Sequence, residues 1–223
     1  MSQQAETEWK GRIVLVIGGN EVGTAIAEGF RNQGAEVAII SDAADMTDLA
    51  VITSKVDTII AQFGQIDILV HAWEVFAQAS ALEMPPQQWK DIVQGNIKSK
   101  FLYAKEVGKH MLEQEQGNII FLSSISGIVA APGAIAFAAS QGAIHQIART
   151  LSVEWAKRGI RVNAIASTLP EGTISNPRIA QVTPLERIPK AEELVGTVLY
   201  LASNASQMVT GQIISVDGGY VAQ

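Results

Sequence analysis

Short runs of aliphatic and β-branched residues alternate along this chain with longer stretches in which apolar positions recur every three or four residues. The short runs fall at Arg12–Ile17, Glu36–Ile40, Ile66–His71, Gly117–Ser123, Ile160–Ala166 and Ile213–Val216, and each is nearly continuous in apolar side chains. Such continuity marks strands buried on both faces, the condition inside a parallel sheet covered by helices. Helical spacing runs over Glu21–Gln33, Thr47–Phe63, Pro86–Glu115, Ala134–Arg158 and Ala191–Ala202, with a break in the third stretch expected near Gly95. Strands alternating with helices in this way predict an α/β fold, read as one domain over residues 1–223.

Two helices bear on assembly. After Asn96, the residues Phe101, Ala104, Val107, Gly108, Met111 and Leu112 recur at helical spacing. The helix around Phe137 carries Ala138, Ala139, Gly142, Ala143 and Ala148 beside a larger stripe of Ile144, Ile147, Leu151 and Trp155. Small residues let another helix approach closely, which suits packing within the chain and a subunit interface equally.

Composition narrows the functions. Of 223 residues 48% are hydrophobic and 17% charged, which excludes disorder, and 19 glycines against 7 prolines suit many tight strand-to-helix turns. Lys and Arg number 16 against 22 Asp and Glu, so no basic field exists to hold a phosphate backbone or anionic lipid. No apolar run approaches the roughly 18 residues of a bilayer span, and Met1–Lys10 is polar, unlike a signal peptide. The absence of cysteine suggests the cytoplasm, and three scattered histidines lack the spacing of a metal cluster.

Several stretches, in order, resemble the short-chain dehydrogenase/reductase family. Val14-Leu-Val-Ile-Gly-Gly-Asn-Glu-Val-Gly23 is similar to its first strand and glycine-rich turn, and Phe63-Gly-Gln-Ile-Asp-Ile-Leu-Val70 to its fourth strand. Asn96 stands at the family's helix asparagine. Gly117-Asn-Ile-Ile-Phe-Leu-Ser-Ser124 resembles the strand that ends in its serine, Arg161-Val-Asn-Ala-Ile-Ala166 the sixth strand, and Val209 to Gly219 the last strand and its exit. The resemblance implies a Rossmann-like, doubly wound parallel sheet of about six strands. It also implies hydride transfer between a nicotinamide and a carbonyl or alcohol, with a tyrosine exchanging the proton and a lysine favouring its phenolate.

The reactive residues are exchanged. Counted from Ser124, the tyrosine position is Phe137 and the lysine position Gln141, within Pro132-Gly-Ala-Ile-Ala-Phe-Ala-Ala-Ser-Gln-Gly142. Phenylalanine has no proton to give, and glutamine has no charge with which to tune one. Losing a general acid removes about 10²- to 10⁴-fold of rate. Ser124 and Asn96 then read as structural, the first closing a strand and the second bonding backbone within its helix.

The cofactor site departs as well. Gly18, Gly19 and Gly23 remain, but the turn is one residue short and Glu21 stands where the middle glycine belongs. A carboxylate there takes the favourable end of the helix dipole and repels a phosphate. After Ser41-Asp42 the chain passes directly to Ala44-Asp-Met-Thr-Asp48, so the family's third strand and the helix before it are missing, and Ser41 replaces the acid expected on the ribose hydroxyls. His71-Ala-Trp-Glu74 replaces Asn-Asn-Ala-Gly, with Trp73, read as a buried filler, where nicotinamide and ribose need room. Ser167-Thr168 replaces Pro-Gly, and the lid from Leu169 to Arg187 is short.

These losses, beside intact helices and a well-formed Asp217-Gly218-Gly219 exit, predict a catalytically inactive family member. It would bind no cofactor and serve as a structural or regulatory subunit with an active paralogue that holds NAD, or with copies of itself. The pattern of losses resembles the inactive subunit of a hydroxyacyl-CoA dehydrogenase of toluene degradation. The alternatives are an NAD(P)-dependent oxidoreductase with altered catalytic residues, for which His71, Tyr103 and His145 are candidates, and a small-molecule-sensing module.

Overall fold

The computed structural model describes residues 8–42, 46–168 and 177–223. Six parallel strands, β1 (Ile13–Ile17), β2 (Glu36–Ile40), β3 (Ile68–His71), β4 (Gly117–Ser124), β5 (Ile160–Ser167) and β6 (Ile213–Val216), form one sheet in the order β2-β1-β3-β4-β5-β6. Strand order reverses between β1 and β3, and at such a switch point the carboxyl ends of the strands open a crevice. β1, β3 and β4 are buried at every position, as their unbroken apolar runs predict.

Helices α1 (Glu21–Asn32), α2 (Leu49–Phe63), α3 (Pro86–Val93), α4 (Ser99–Gln114), α5 (Ile135–Trp155), α6 (Pro177–Val182) and α7 (Ala191–Ala202) complete the described elements. One apolar core joins the sheet to α2, α4 and α5 through Ile52, Val56, Val107, Met111, Ile144 and Leu151. A second joins its other face to α1 and α7 through Ile26, Phe30, Leu194 and Val198. The sheet is thus covered on both sides, and α7 follows its predicted span from Ala191 to Ala202. The break near Gly95 is a π-helical turn over Gln94–Lys98 that joins α3 to α4. It places Asn96 inside the molecule.

β2 is an edge strand, as the missing third strand predicts. The Arg31 guanidinium donates to Val37 O at 3.3 Å and so caps one outward carbonyl of that edge. Of the small residues on α5, Ala148 is buried and Ala139 exposed, and the outer faces of α4 and α5 present Phe101, Ile135 and Val153 to solvent. Gly108 is used within the chain, because a side chain there would meet the Trp155 ring at 2.7 Å. The segment read as Ala44 to Asp48 lies partly outside the described residues, as does the first part of the lid, residues 169–176. Among the described residues no helix is long and apolar enough to cross a membrane.

Candidate functional site

At the head of α1 the glycine turn is held by bonds within the chain. Gly18 has φ +117° and donates its N–H to Ile40 O at 2.8 Å, and a side chain there would meet the Trp73 backbone at 2.9 Å. Asn20 caps the helix: its Oδ1 accepts from Gly23 N at 2.9 Å, and its Nδ2 donates to Ala72 O at 3.2 Å. One of the N–H groups that would greet a phosphate is therefore satisfied from inside the chain. Glu21, exposed in the first turn, stands at the positive end of the dipole. Ser41 is exposed beyond β2, with its Cβ where a side chain on Gly19 would begin, 2.5 Å away.

The positions of the lost acid and its tuner have joined the interior. Phe137 is fully buried and meets Phe76 edge-on, with ring centroids 5.0 Å apart. Gln141, also fully buried, accepts from Ser124 N through Oε1 at 3.0 Å, so it ties α5 to the end of β4. Ser124, the last residue of β4, accepts through Oγ from Ser126 N at 3.2 Å and caps the short turn after the strand.

Asn96 departs from its reading. It bonds no backbone of its own helix; Oδ1 accepts from Val75 N at 2.7 Å and Nδ2 donates to Val75 O at 2.9 Å, across to the segment after β3. Its Nδ2 also donates to Ser140 Oγ, which in turn donates to Phe137 O at 2.7 Å. The π-turn is the reason, because it rotates residue 96 inward, away from helix-surface geometry. Trp73 is half-buried and packs against the core that includes α4 and α5, so the buried-filler reading holds for only part of its ring.

The candidate replacement groups behave as packed residues. His71 is fully buried, with Nε2 2.9 Å from Ser99 Oγ and its ring edge-on to Tyr103, and burial holds its pKa well below the usual histidine value. His145 Nε2 lies 2.9 Å from Ser123 Oγ, a contact no sequence spacing indicated. Burial, and then the Arg149 charge, lower its pKa to about 4, so it is a neutral imidazole at neutral pH. Ser123 Oγ meanwhile lies 3.1 Å from Ile165 O, an acceptor for its hydrogen, and no nucleophile geometry results. Among the described residues no group of histidines and acids could hold a metal ion.

Sequence reasoning missed a charged pair. Lys100 is fully buried on α4 and donates Nζ to Trp73 O at 2.7 Å, and burial lowers its pKa to about 8 against the pull of Glu74. Burial pushes the Glu74 carboxyl up to about 7, while Lys100 draws it down. The Gln141 amide is near enough to favour the carboxylate, yet neither Gln141 Nε2 nor Glu74 Oε1 closes a hydrogen bond of ordinary geometry. The signal was present: a lysine at position 100, in an otherwise apolar helical row, and an acid at a glycine position of the family.

Two small cavities flank this segment. One, of about 130 Å³, is lined by Asn20, Glu21, Glu74, Phe76, Ser123 and Thr168, among others. The other, of about 160 Å³, is lined by Phe76, Ser124, Pro132, Ile179 and Tyr220, among others. Pockets that hold drug-sized ligands span about 300–1,000 Å³.

A family model described as enoyl-(acyl carrier protein) reductase matches residues 40–221. The chain is 35% identical over 184 residues to a 3-oxoacyl-(acyl-carrier-protein) reductase of Thermotoga maritima, covering 79% of this chain and 75% of that one. It is 30% identical over 241 residues to a D-threitol dehydrogenase of Mycolicibacterium smegmatis, covering 94% of this chain and 93% of that one. A gluconate 5-dehydrogenase from Burkholderia cenocepacia, solved in complex with NADP and tartrate, superposes with a TM-score of 0.92 at 25% identity and full coverage of both chains. A parallel sheet in this order, with these motifs and relatives, defines a Rossmann-like α/β protein. The chain belongs to the short-chain dehydrogenase/reductase family.

Proposed function

We propose that this chain is a non-catalytic member of its family, which binds no dinucleotide and acts as a structural or regulatory subunit. One observation carries the reading: Phe137 is fully buried edge-on against Phe76, and Gln141 is committed to Ser124 N. A reduction of the family's kind needs a proton delivered to the developing alkoxide as hydride arrives, and neither side chain supplies one. Restoring one without the other would not suffice, because groups that act as a unit contribute non-additively. The partner is an active paralogue that holds NAD, or a second copy of this chain. The exposed Phe101, Ile135, Ala139 and Val153 on α4 and α5 are the surface that supports either. The narrower likeness, to a subunit of a hydroxyacyl-CoA dehydrogenase of toluene degradation, rests on the pattern of losses alone.

The relatives favour a second reading, an NAD(P)-dependent oxidoreductase with altered catalytic residues, since those cited are named as dehydrogenases and a reductase and one was solved with NADP. Glu74 is the observation on its side: a carboxyl at the cavity wall, with a pKa raised to about 7, can hold or release a proton near neutrality.

The double reversion Phe137→Tyr with Gln141→Lys separates the two. On the first reading it yields no NAD(P)-dependent oxidation of polyols or reduction of 3-oxoacyl thioesters, because on that reading the chain excludes a dinucleotide independently of residues 137 and 141. Turnover by the unaltered chain in the same assay, lost on Glu74→Gln, would establish the second reading instead.

A further inference from the structure

The five residues between β3 and the loop that leads to α3, Ala72 to Phe76, are held at four of their five positions by side chains from the α1 cap, the π-turn, α4 and α5. Asn20 Nδ2 donates to Ala72 O, Lys100 Nζ to Trp73 O, and Asn96 takes both backbone groups of Val75. Phe76 is seated against Phe137. The fifth position, Glu74, is close enough for the Lys100 charge to favour its carboxylate, without a direct ion pair between them. A lysine buried to this degree is costly unless its charge is answered, and here the Trp73 carbonyl accepts from it directly while the nearby Glu74 favours its charged form.

This segment also decides the shape of the cleft. Phe76, together with Thr168, lines both small cavities, and so lies between the one that touches the α1 turn and the one that touches Ser124. Glu74 is among the residues that line the first. Backbone geometry does not demand glycine at residue 74, because among the described residues the non-glycine positions with positive φ are Glu115 and Glu186. The acid therefore occupies its position without strain.

We propose that residues 72–76 are a built-in plug: Phe76 divides the crevice at the strand ends, and Lys100 straps the segment in place, so that the chain's own loop excludes a dinucleotide. This rests on the reading that the chain binds none, and it goes further in naming the device. It predicts that binding is recoverable without touching Glu21 or Asn20.

The test uses the full chain, with NADPH as the probe and its fluorescence as the readout, and far-ultraviolet circular dichroism to confirm folding. Phe76→Ala removes the partition and leaves the strap. Phe76→Ala with Glu74→Gly and Lys100→Val removes both charges together, which avoids an unanswered buried charge. The expected result is no saturable binding by the unaltered chain and saturable binding by the variants, at least tenfold tighter, strongest in the triple. Where the triple variant fails to fold, Phe76→Ala alone decides. Folded variants that bind NADPH no better than the unaltered chain would overturn the plug while leaving the non-catalytic reading in place. Saturable binding by the unaltered chain would overturn both.

Discussion

Replacing Phe137 by alanine is expected to lower the stability of the chain by about 3–5 kcal/mol, the usual range for emptying a buried aromatic position. The ring is fully inaccessible to solvent, it meets Phe76 edge-on, and it packs with Ala131 and Ala134 in a small apolar cluster beside the main cores. Its backbone carbonyl already anchors the Asn96 and Ser140 network, so the surroundings have little freedom to collapse into the void. In a working member of the family the same position carries a proton and is held ready for chemistry, which ordinarily costs stability. Here the ring at this position is packed in the interior. Urea denaturation of the two proteins measures the loss directly, and a change under 1 kcal/mol would show that the ring is not part of the core.

Gly23→Ala is expected to cost about 1–3 kcal/mol, the usual range for forcing extra volume into a close-packed contact. A methyl group there would lie 1.9 Å from Gly18 O, a backbone atom that is itself fixed by the Gly18 N–H to Ile40 O bond. Relief would require either the turn or the first turn of α1 to move, and with it the Asn20 cap. The retained glycine is thereby explained by close packing of helix on turn, one of the three uses of glycine in a dinucleotide turn and the one that outlives the ligand. Thermal unfolding of Gly23→Ala checks this, and an unchanged midpoint would contradict it.

The strands were legible because each is buried on both faces. β2, β6 and α7 begin and end where the apolar runs and helical spacing do, and each other predicted element shifts by one to three residues at one end or both, while α6 was not foreseen. The break near Gly95 was visible as a glycine in a helical stretch, but not its consequence. A π-turn changes which way Asn96 points, and periodicity assumes a constant 3.6 residues per turn. Phe137 and Gln141 were placed by counting from Ser124, and both lie on the predicted helix. What the spacing could not give was their partners: Phe76 and Ser124 N lie on other elements, and such contacts exist only once the sheet has formed. The Lys100 and Glu74 pair shows the same limit, since 26 residues of chain and a π-turn separate two groups that become neighbours at the end of β3. Ser123 and His145 met in the same way, across the contact of β4 with α5.

Asn20 is the instructive omission at the turn. Attention to the glycines and to Glu21 passed over a residue whose type is among the best helix caps, directly before the helix. Its side chain bonds both the head of α1 and the end of β3, which links the degenerate turn to the segment that fills the crevice. The changes at the turn and at the catalytic helix are thus parts of one interior, joined through Ala72, Val75 and Phe76.

The central claim, that this chain has given up dinucleotide chemistry, is tested most directly by thermal unfolding of the purified protein with and without millimolar NAD, NADH, NADP and NADPH. A ligand that binds the native state raises stability by about 2.7 kcal/mol at a hundredfold excess over Kd. The predicted result is an unfolding midpoint that no nucleotide moves beyond a salt control of equal ionic strength. A saturable upward shift with any of the four would contradict the account and place the chain among the nucleotide-binding members of its family.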